Sequence, residues 1–329
     1  MRFILAAVLT LTMLHVARTN SRGQSDHLSY SDNGVAFDIV TVPKAPENGS
    51  VHIVVGITGA VTPDSKIVVR YSESGQDAQT SLSEYATVVL ETEDAASGVY
   101  GTEIAVGPRG DKVYYYFEVL DSDNNSQAAF TRDGEQPFVL KSIGQVPTVV
   151  VVCHVVLMFL TVFFVALALI HAFGLIRTGA DAHLMSRNFL LATLFAFLGG
   201  CCPFGFAMNW YAFGTIWEGV PFGTDATDNK TQLIFVYLVY MVLASFGSLT
   251  RGRWGRDLFS PRVLGWFGVS AFVLMIAIYL IPHSIQFTPD LTHAVCYSFI
   301  GLVGLLYVFG LVWGRGKSLR LKWLSASGS

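Results

Sequence analysis

The stretch Thr148–Ile176, TVVVVCHVVLMFLTVFFVALALIHAFGLI, carries no Asp, Glu, Lys or Arg over 29 residues. A run of ~20 apolar residues is what a helix needs to cross ~30 Å of hydrocarbon. Only a helix or a closed barrel satisfies its backbone polar groups there. The stretch therefore divides the chain into a soluble-looking part before it and a membrane part that begins with it. The whole sequence agrees. Its 329 residues are 52% hydrophobic and 14% charged, with a mean hydropathy of +0.49. That is too apolar for an ordinary soluble enzyme.

Four further apolar runs follow, roughly Phe189–Asn209, Gln232–Ser248, Val263–Ile281 and Leu291–Trp313. Charge gives their direction. The loops with Arg177 and Arg187, with Arg251, Arg253, Arg256 and Arg262, and the tail with Arg315, Lys317, Arg320 and Lys322 hold 10 basic residues against 2 Asp. The loops Trp210–Lys230 and Pro282–Asp290 hold Lys230 as their only basic residue. Basic loops stay on the cytoplasmic side, so five spans are expected, with the N-terminus outside and the C-terminus inside. The expected location is a cell or plasma membrane, the inner membrane in a bacterium.

At the other end, MRFILAAVLTLTMLHVA places Arg2 before a short apolar run and the polar RTNSRGQSD after it. This fits a secretory signal peptide over residues 1–23, cleaved after Ala17 or Thr19, with an uncleaved anchor as the alternative. Residues 24–146 then form an exported domain with 18 Asp and Glu against 7 Lys and Arg. Residues 147–314 are the membrane domain, and 315–329 a basic cytoplasmic tail suited to an anionic leaflet.

The exported domain reads as strands Val35–Val42, Val51–Ile57, Lys66–Tyr71, Ala86–Glu91, Val99–Ala105, Lys112–Leu120 and Gln136–Lys141. In KVYYYFEVL the alternation puts Val113, Tyr115, Phe117 and Val119 on one face, and Tyr114, Tyr116 and Glu118 on the other. Seven short strands in about a hundred residues suggest a β-sandwich. The stretch VGPRGDKVYYYFEVLDSDNNSQAAF resembles the penultimate-strand hairpin of immunoglobulin-like or fibronectin type III-like domains. The likeness implies a binding or spacer module and no particular chemistry. The domain has no cysteine, so the disulfide of antibody domains is absent. The expected fold class is thus an all-β sandwich ectodomain followed by an α-helical five-span transmembrane domain.

Catalytic signatures are missing. The sequence has no GxSxG, HExxH, P-loop or CxxC, which leaves hydrolase and nucleotide chemistry without a foothold. The spans carry no ionisable Asp, Glu, Lys or Arg, which argues against ion pumps and proton-coupled transporters. Three histidines, His154, His283 and His293, fall near the outer leaflet. His154 and His293 are candidate ligands for haem or a transition metal, with Cys153 and Cys296 at similar depth. Interfacial histidines bonded to backbone or water are the simpler reading. Between spans 2 and 3, Glu218, Asp225 and Asp228 with His283 could hold a cation or a partner. Asp228 or Thr227 could equally cap the next helix.

Three weaker patterns remain. Gly199, Gly200, Pro203 and Gly205 should kink span 2 and allow close helix packing, the alternative being a broken helix that lines a cofactor or quinone pocket, and Gly301, Gly304 and Gly310 offer a smooth face for helix contact. Asp121, Asp123 and Asn125 have the 1, 3, 5 spacing of a calcium loop, but lack its glycine and its bidentate glutamate; a hairpin turn explains them better. Asn48, Asn124 and Asn229 head glycosylation sequons. The functional expectation is a non-catalytic subunit whose acidic ectodomain holds another membrane-complex subunit or a basic soluble protein. The alternative is a haem- or metal-binding redox subunit. The lipid bilayer is an expected partner and nucleic acid is not.

Overall fold

The computed structural model describes residues 1–22, 27–62, 64–72, 85–94, 96–131, 137–281 and 288–326, with side chains placed for 1–16 and 28–313 within these ranges. It separates into two compact units. One holds Met1–Gly23, Pro147–Met208 and Ile216–Ser329, and the other Gln24–Val146 with Asn209–Thr215.

The second unit is built of β1 (His27–Asp32), β2 (Val35–Val40), β3 (Lys44–Pro46), β4 (Ser50–Gly59), β5 (Lys66–Tyr71), β6 (Ala86–Val89), β7 (Glu91–Asp94), β8 (Val99–Ala105), β9 (Lys112–Leu120), β10 (Ser126–Phe130) and β11 (Phe138–Ile143). They form two sheets. One runs β1-β2-β4-β8-β7, and the other β3-β11-β9-β5-β6 with β10 also paired to β9. Turn residues set the registers. Asn33 and Gly34 both take positive φ between Asp32 and Val35, which face each other across the β1–β2 hairpin. Two left-handed residues in a two-residue loop give the hairpin turn whose twist matches the strands. The DSDNNS stretch is the β9–β10 turn: one Asp121 carboxylate oxygen accepts from the N–H groups of Asp123 (2.9 Å) and Asn125 (2.8 Å). Those backbone donors hold the Asp121 carboxyl below the usual carboxylate range.

Residues facing inward from both sheets make one hydrophobic cluster, with Phe37, Ile39, Val55 and Ile104 from one, and Val69, Tyr115, Phe117 and Leu140 from the other. Phe130 and Phe138 meet edge-on at 5.3 Å within it. Burying each such side chain contributes about 1.5–3 kcal/mol. The alternation expected along β9 holds only in its first half. Tyr116 and Glu118 are also buried, like Val113 and Phe117, because Tyr85 lies over Tyr116 and Arg70 covers Glu118. β9 thus has neighbours on both faces.

The first unit is helical: α1 (Arg2–Arg22), α2 (Thr148–Thr178), α3 (His183–Gly200), α4 (Phe204–Phe213, whose C-terminal residues cluster with the second unit), α5 (Ala226–Ala244), α6 (Phe246–Leu249), α7 (Pro261–Leu280) and α8 (Pro289–Ala326). Among the described residues four stretches are long and apolar enough to cross a membrane: Thr148–Thr178, His183–Phe213, Pro261–Leu280 and Pro289–Trp313. This makes the chain a multi-pass membrane protein in contact with a lipid bilayer. The expected third span, α5, falls short of that standard because Asp228, Asn229, Lys230 and Gln232 occupy its first two turns.

Small residues let these helices approach. A Cβ on Gly265 would meet the Ala172 carbonyl oxygen at 2.9 Å, and one on Gly268 the Ala172 Cβ at 2.9 Å. The close α2–α7 contact is therefore made by glycines of α7. Of the α8 glycines, Gly310 packs on Leu258 and Phe259, while Gly301 and Gly304 face open space among the described residues. The apolar run of span 2 is broken into two helices and not only kinked. α3 ends at Gly200, and α4 resumes after Pro203 with Phe206 N–H bonded to the Cys201 carbonyl at 2.7 Å. Met158 and Thr231 pack against Gly200, which gives the irregular backbone the cover it needs away from water. All four cysteines are free thiols. α1 lies along α2, with Ala6 and Met13 buried in the same core.

Candidate functional site

The outward face of the β1-β2-β4-β8-β7 sheet is open and acidic. β7 is its edge strand, and all four of its residues, Glu91 to Asp94, are exposed. His52 on β4 stands directly opposite Glu103 on β8, with Nδ1 3.8 Å from the carboxylate. From the edge, Glu93 reaches across to the other ring nitrogen of His52. It can do so because Gly101 lies between them: a Cβ there would meet the Glu93 carboxylate at 1.9 Å. On the same face Ser29 donates to Asp38 at 3.0 Å. Two carboxylates around one imidazole leave this patch negative whether or not His52 is protonated. The opposite sheet has no comparable open face at β9, where Tyr85, Arg70 and Tyr116 close over the strand.

None of these residues stood out in the sequence as a group. The strand alternation around His52 and Glu103 is visible, but that β4 and β8 are neighbours in this register is not.

The second unit also holds Asn209–Thr215. The Arg109 guanidinium lies 5.4 Å from the Trp210 ring, and the Lys141 ammonium 3.6 Å from the Phe213 ring. Gly144 N–H donates to the Ala212 carbonyl at 2.9 Å. Side chains at Gly110 or Gly144 would collide with the carbonyl oxygens of Phe213 or Tyr211 at 2.2 and 2.3 Å. Such cation–ring contacts contribute about 0.5–1 kcal/mol each where exposed.

The stretch PFGTDATDNKT, Pro221–Thr231, is a closed knot. The cap of α5 is Asp225, which accepts from Thr227 N–H (2.8 Å) and Asp228 N–H (3.0 Å); the cap expected at Asp228 or Thr227 is therefore placed two or three residues earlier. Asp228 is drawn inward instead and accepts from Glu218 N–H at 2.6 Å. Asn229 accepts from Val220 N–H at 2.8 Å, and Gln232 donates to the Val220 carbonyl at 3.0 Å, so two side-chain amides clamp the backbone of one residue. Lys230 donates to the Ile281 carbonyl at 3.0 Å. Asp228, Asn229 and Lys230 are all buried. The Asn229 sequon is thus occupied by structure. Of the expected cation set, Glu218, Asp225 and Asp228 come together here through these backbone bonds, and His283 lies outside the described residues.

The two remaining histidines each have a partner of their own. His154 Nδ1 lies 2.9 Å from the Gly199 carbonyl, where α2 packs on α3. His293 stacks on Tyr297 one turn further along α8, at 5.9 Å, and α8 packs on α5. Among the described residues no three His, Cys, Asp or Glu side chains gather as a metal site.

The chain matches no protein-family model and no curated protein sequence.

Proposed function

We propose that the protein is a binding or assembly subunit of a membrane complex, and that the acidic outer face of its β domain holds a basic partner. The observation that carries this reading is the patch of Glu91, Glu93, Asp94 and Glu103 around His52. It lies on the sheet whose outer face is open, in a domain with 18 acidic and 7 basic residues. Such a patch steers a positively charged surface and sets its register more than it adds raw affinity. We read the two sheets, with their shared core, as an immunoglobulin-like or fibronectin type III-like sandwich, the architecture of many binding modules.

We further read α5 as a fifth span. Its 19 residues rise about 28 Å at 1.5 Å per residue. Two contacts support that direction. Lys230 at its start reaches Ile281 at the end of α7, and the Ser248 carbonyl beyond its end accepts from the His183 ring at the start of α3 (3.0 Å). Five spans place the arginine-bearing turns on one side and the acidic domain on the other, extracytoplasmic by the charge rule. The multi-pass chain then belongs to a plasma or bacterial inner membrane, with residues 1–23 acting as its export signal.

The test is cross-linking in native membranes followed by gentle solubilisation. A stoichiometric partner should be recovered, lost at high salt, and lost in the charge-reversed variant E91K/E93K/E103K. A protein that runs alone and monomeric under those conditions would overturn the reading.

A further inference from the structure

We propose that the turn between α6 and α7 binds the phosphate headgroup of an anionic lipid, in the leaflet facing that end of the helices. This rests on the helices lying in a bilayer and not on the partner assigned to the β domain, so either can fail alone.

The turn is built, not loose. The Asp257 carboxylate accepts from Ser248 N–H at 2.6 Å and from the Ser248 hydroxyl at 2.5 Å, closing the turn Ser248–Asp257 onto itself. Leu258 N–H donates to the Ala244 carbonyl at 2.9 Å, and Gly252 N–H to the Gly247 carbonyl at 2.8 Å. Gly247 is packed so tightly that a Cβ would meet the backbone of Arg256 and Asp257 at 2.4 Å. His183 Nδ1, 3.0 Å from the Ser248 carbonyl, ties the turn to the α2–α3 connection.

An open cleft of 520 Å³ results, lined by Asp181, Ser248, Arg251, Arg256 and Asp257 with glycines between them. Its two carboxylates keep their charge but are turned to neutral donors, Asp257 to Ser248 and Asp181 to the His183 N–H at 3.0 Å. The Arg251 guanidinium has no hydrogen-bond or ion-pair partner among the described residues. The Arg251 guanidinium, with neither carboxylate on it, suits a phosphate, which it can meet with two parallel N–H bonds.

A lipid is favoured over a soluble phosphate ester by Trp254. Its ring is 81% exposed and stands between Arg253 and Gly255. An indole so exposed among arginines fits the headgroup zone, where its apolar ring and polar N–H are both accommodated. The simpler account gives the arginines no role beyond charge-guided insertion. The two accounts differ over position: insertion counts charges, whereas a headgroup site needs the arginines of the cleft.

The experiment uses the full chain in a neutral detergent. Native mass spectrometry reads retention of phosphatidylglycerol against phosphatidylcholine, with inorganic phosphate as a competitor. Wild type should retain phosphatidylglycerol preferentially, and R251Q/R256Q should lose that preference, by roughly five-fold per arginine. R187Q/R262Q, with the same charge loss outside the cleft lining, should keep it. Should the double variant misfold, R251Q alone gives the same reading, since the Arg251 guanidinium has no partner among the described residues to lose. Equal losses in both double variants, or no preference in wild type, overturn the site. Displacement by millimolar inorganic phosphate overturns the lipid assignment in favour of a soluble phosphate ester.

Discussion

Arg70 and Glu118 are worth more to each other than to the fold. They lie diagonally across β5 and β9, Arg70 opposite Tyr116 and Glu118 opposite Val68. The guanidinium donates to Glu118 at 2.5 Å and to the Thr87 hydroxyl at 3.4 Å. Side-chain exposure is 25% for Arg70 and 10% for Glu118, so the carboxylate is the more deeply desolvated. The hydrogen bond to Glu118 holds Arg70 above its ordinary pKa, against the opposing effect of burial. Removing one partner of a fully buried pair costs 3–5 kcal/mol, whereas apolar replacement of both is often neutral.

Partial exposure reduces these figures. R70M, which strands the deeper carboxylate, should cost about 2–3 kcal/mol, and E118L about 1–2 kcal/mol because Arg70 can turn toward water. R70M/E118L should fall within about 1 kcal/mol of wild type. The assay is amide hydrogen exchange of β5 and β9 in the purified protein, where ~1.4 kcal/mol is a tenfold change. R70M should speed exchange roughly 30-fold or more, and the double variant by less than about fivefold. Additive losses in the double variant would refute the argument, since the cost would then come from packing and not from a stranded charge.

Other outcomes follow from single features. Burial raises the Tyr115 pKa. A raised folded pKa means stability is intact below the unfolded value near pH 10 and falls above it by about 1.4 kcal/mol per pH unit. Alkaline unfolding of the β domain, followed by tyrosinate absorbance, should therefore start later in Y115F. D225A removes the α5 cap and should cost about 1 kcal/mol, seen as faster exchange confined to the first turn of that helix, whereas T227A should not. N229A leaves the buried Val220 N–H without its acceptor and should destabilise by about 1–3 kcal/mol in a thermal unfolding assay. G144A should release the Asn209–Thr215 segment from the β unit, seen as faster amide exchange at residue 144, whose N–H now donates to the Ala212 carbonyl, because its Cβ would overlap the Tyr211 carbonyl.

The strands that pattern made legible were those with bulky alternation. Lys66–Tyr71, Val99–Ala105 and Lys112–Leu120 have the bounds their residues predict. β1, β3 and β10 were invisible, because HLSYSD, KAP and SQAAF are short or small-sided and become strands only when a neighbour supplies their hydrogen bonds. The expected strand over Ala86–Glu91 divides into β6 and β7, which join different sheets; nothing local marks Leu90 as the crossing point. A disturbance of span 2 at Pro203 was legible, since proline acts on its own chain, but that one helix ends and another begins there was not. Which aspartate caps α5 was not: Asp225 and Asp228 are chemically equal, and only the fold of Trp217–Gly223 over the helix end pulls Asp228 away to Glu218.

Composition and spacing by themselves determined that this chain has a membrane part, that its acidic and basic halves are segregated, and that a strand-rich domain precedes the helices. Those properties are sums over local residues, and hydrophobic transfer and charge act on them wherever the chain folds. The tertiary structure alone decided that His52 meets Glu93 over Gly101, that Arg70 covers Glu118, and that Ser248 and Asp257 close the arginine turn. Each joins residues whose approach depends on strand order or loop closure, and no local propensity encodes which distant partner removes a given charge from water.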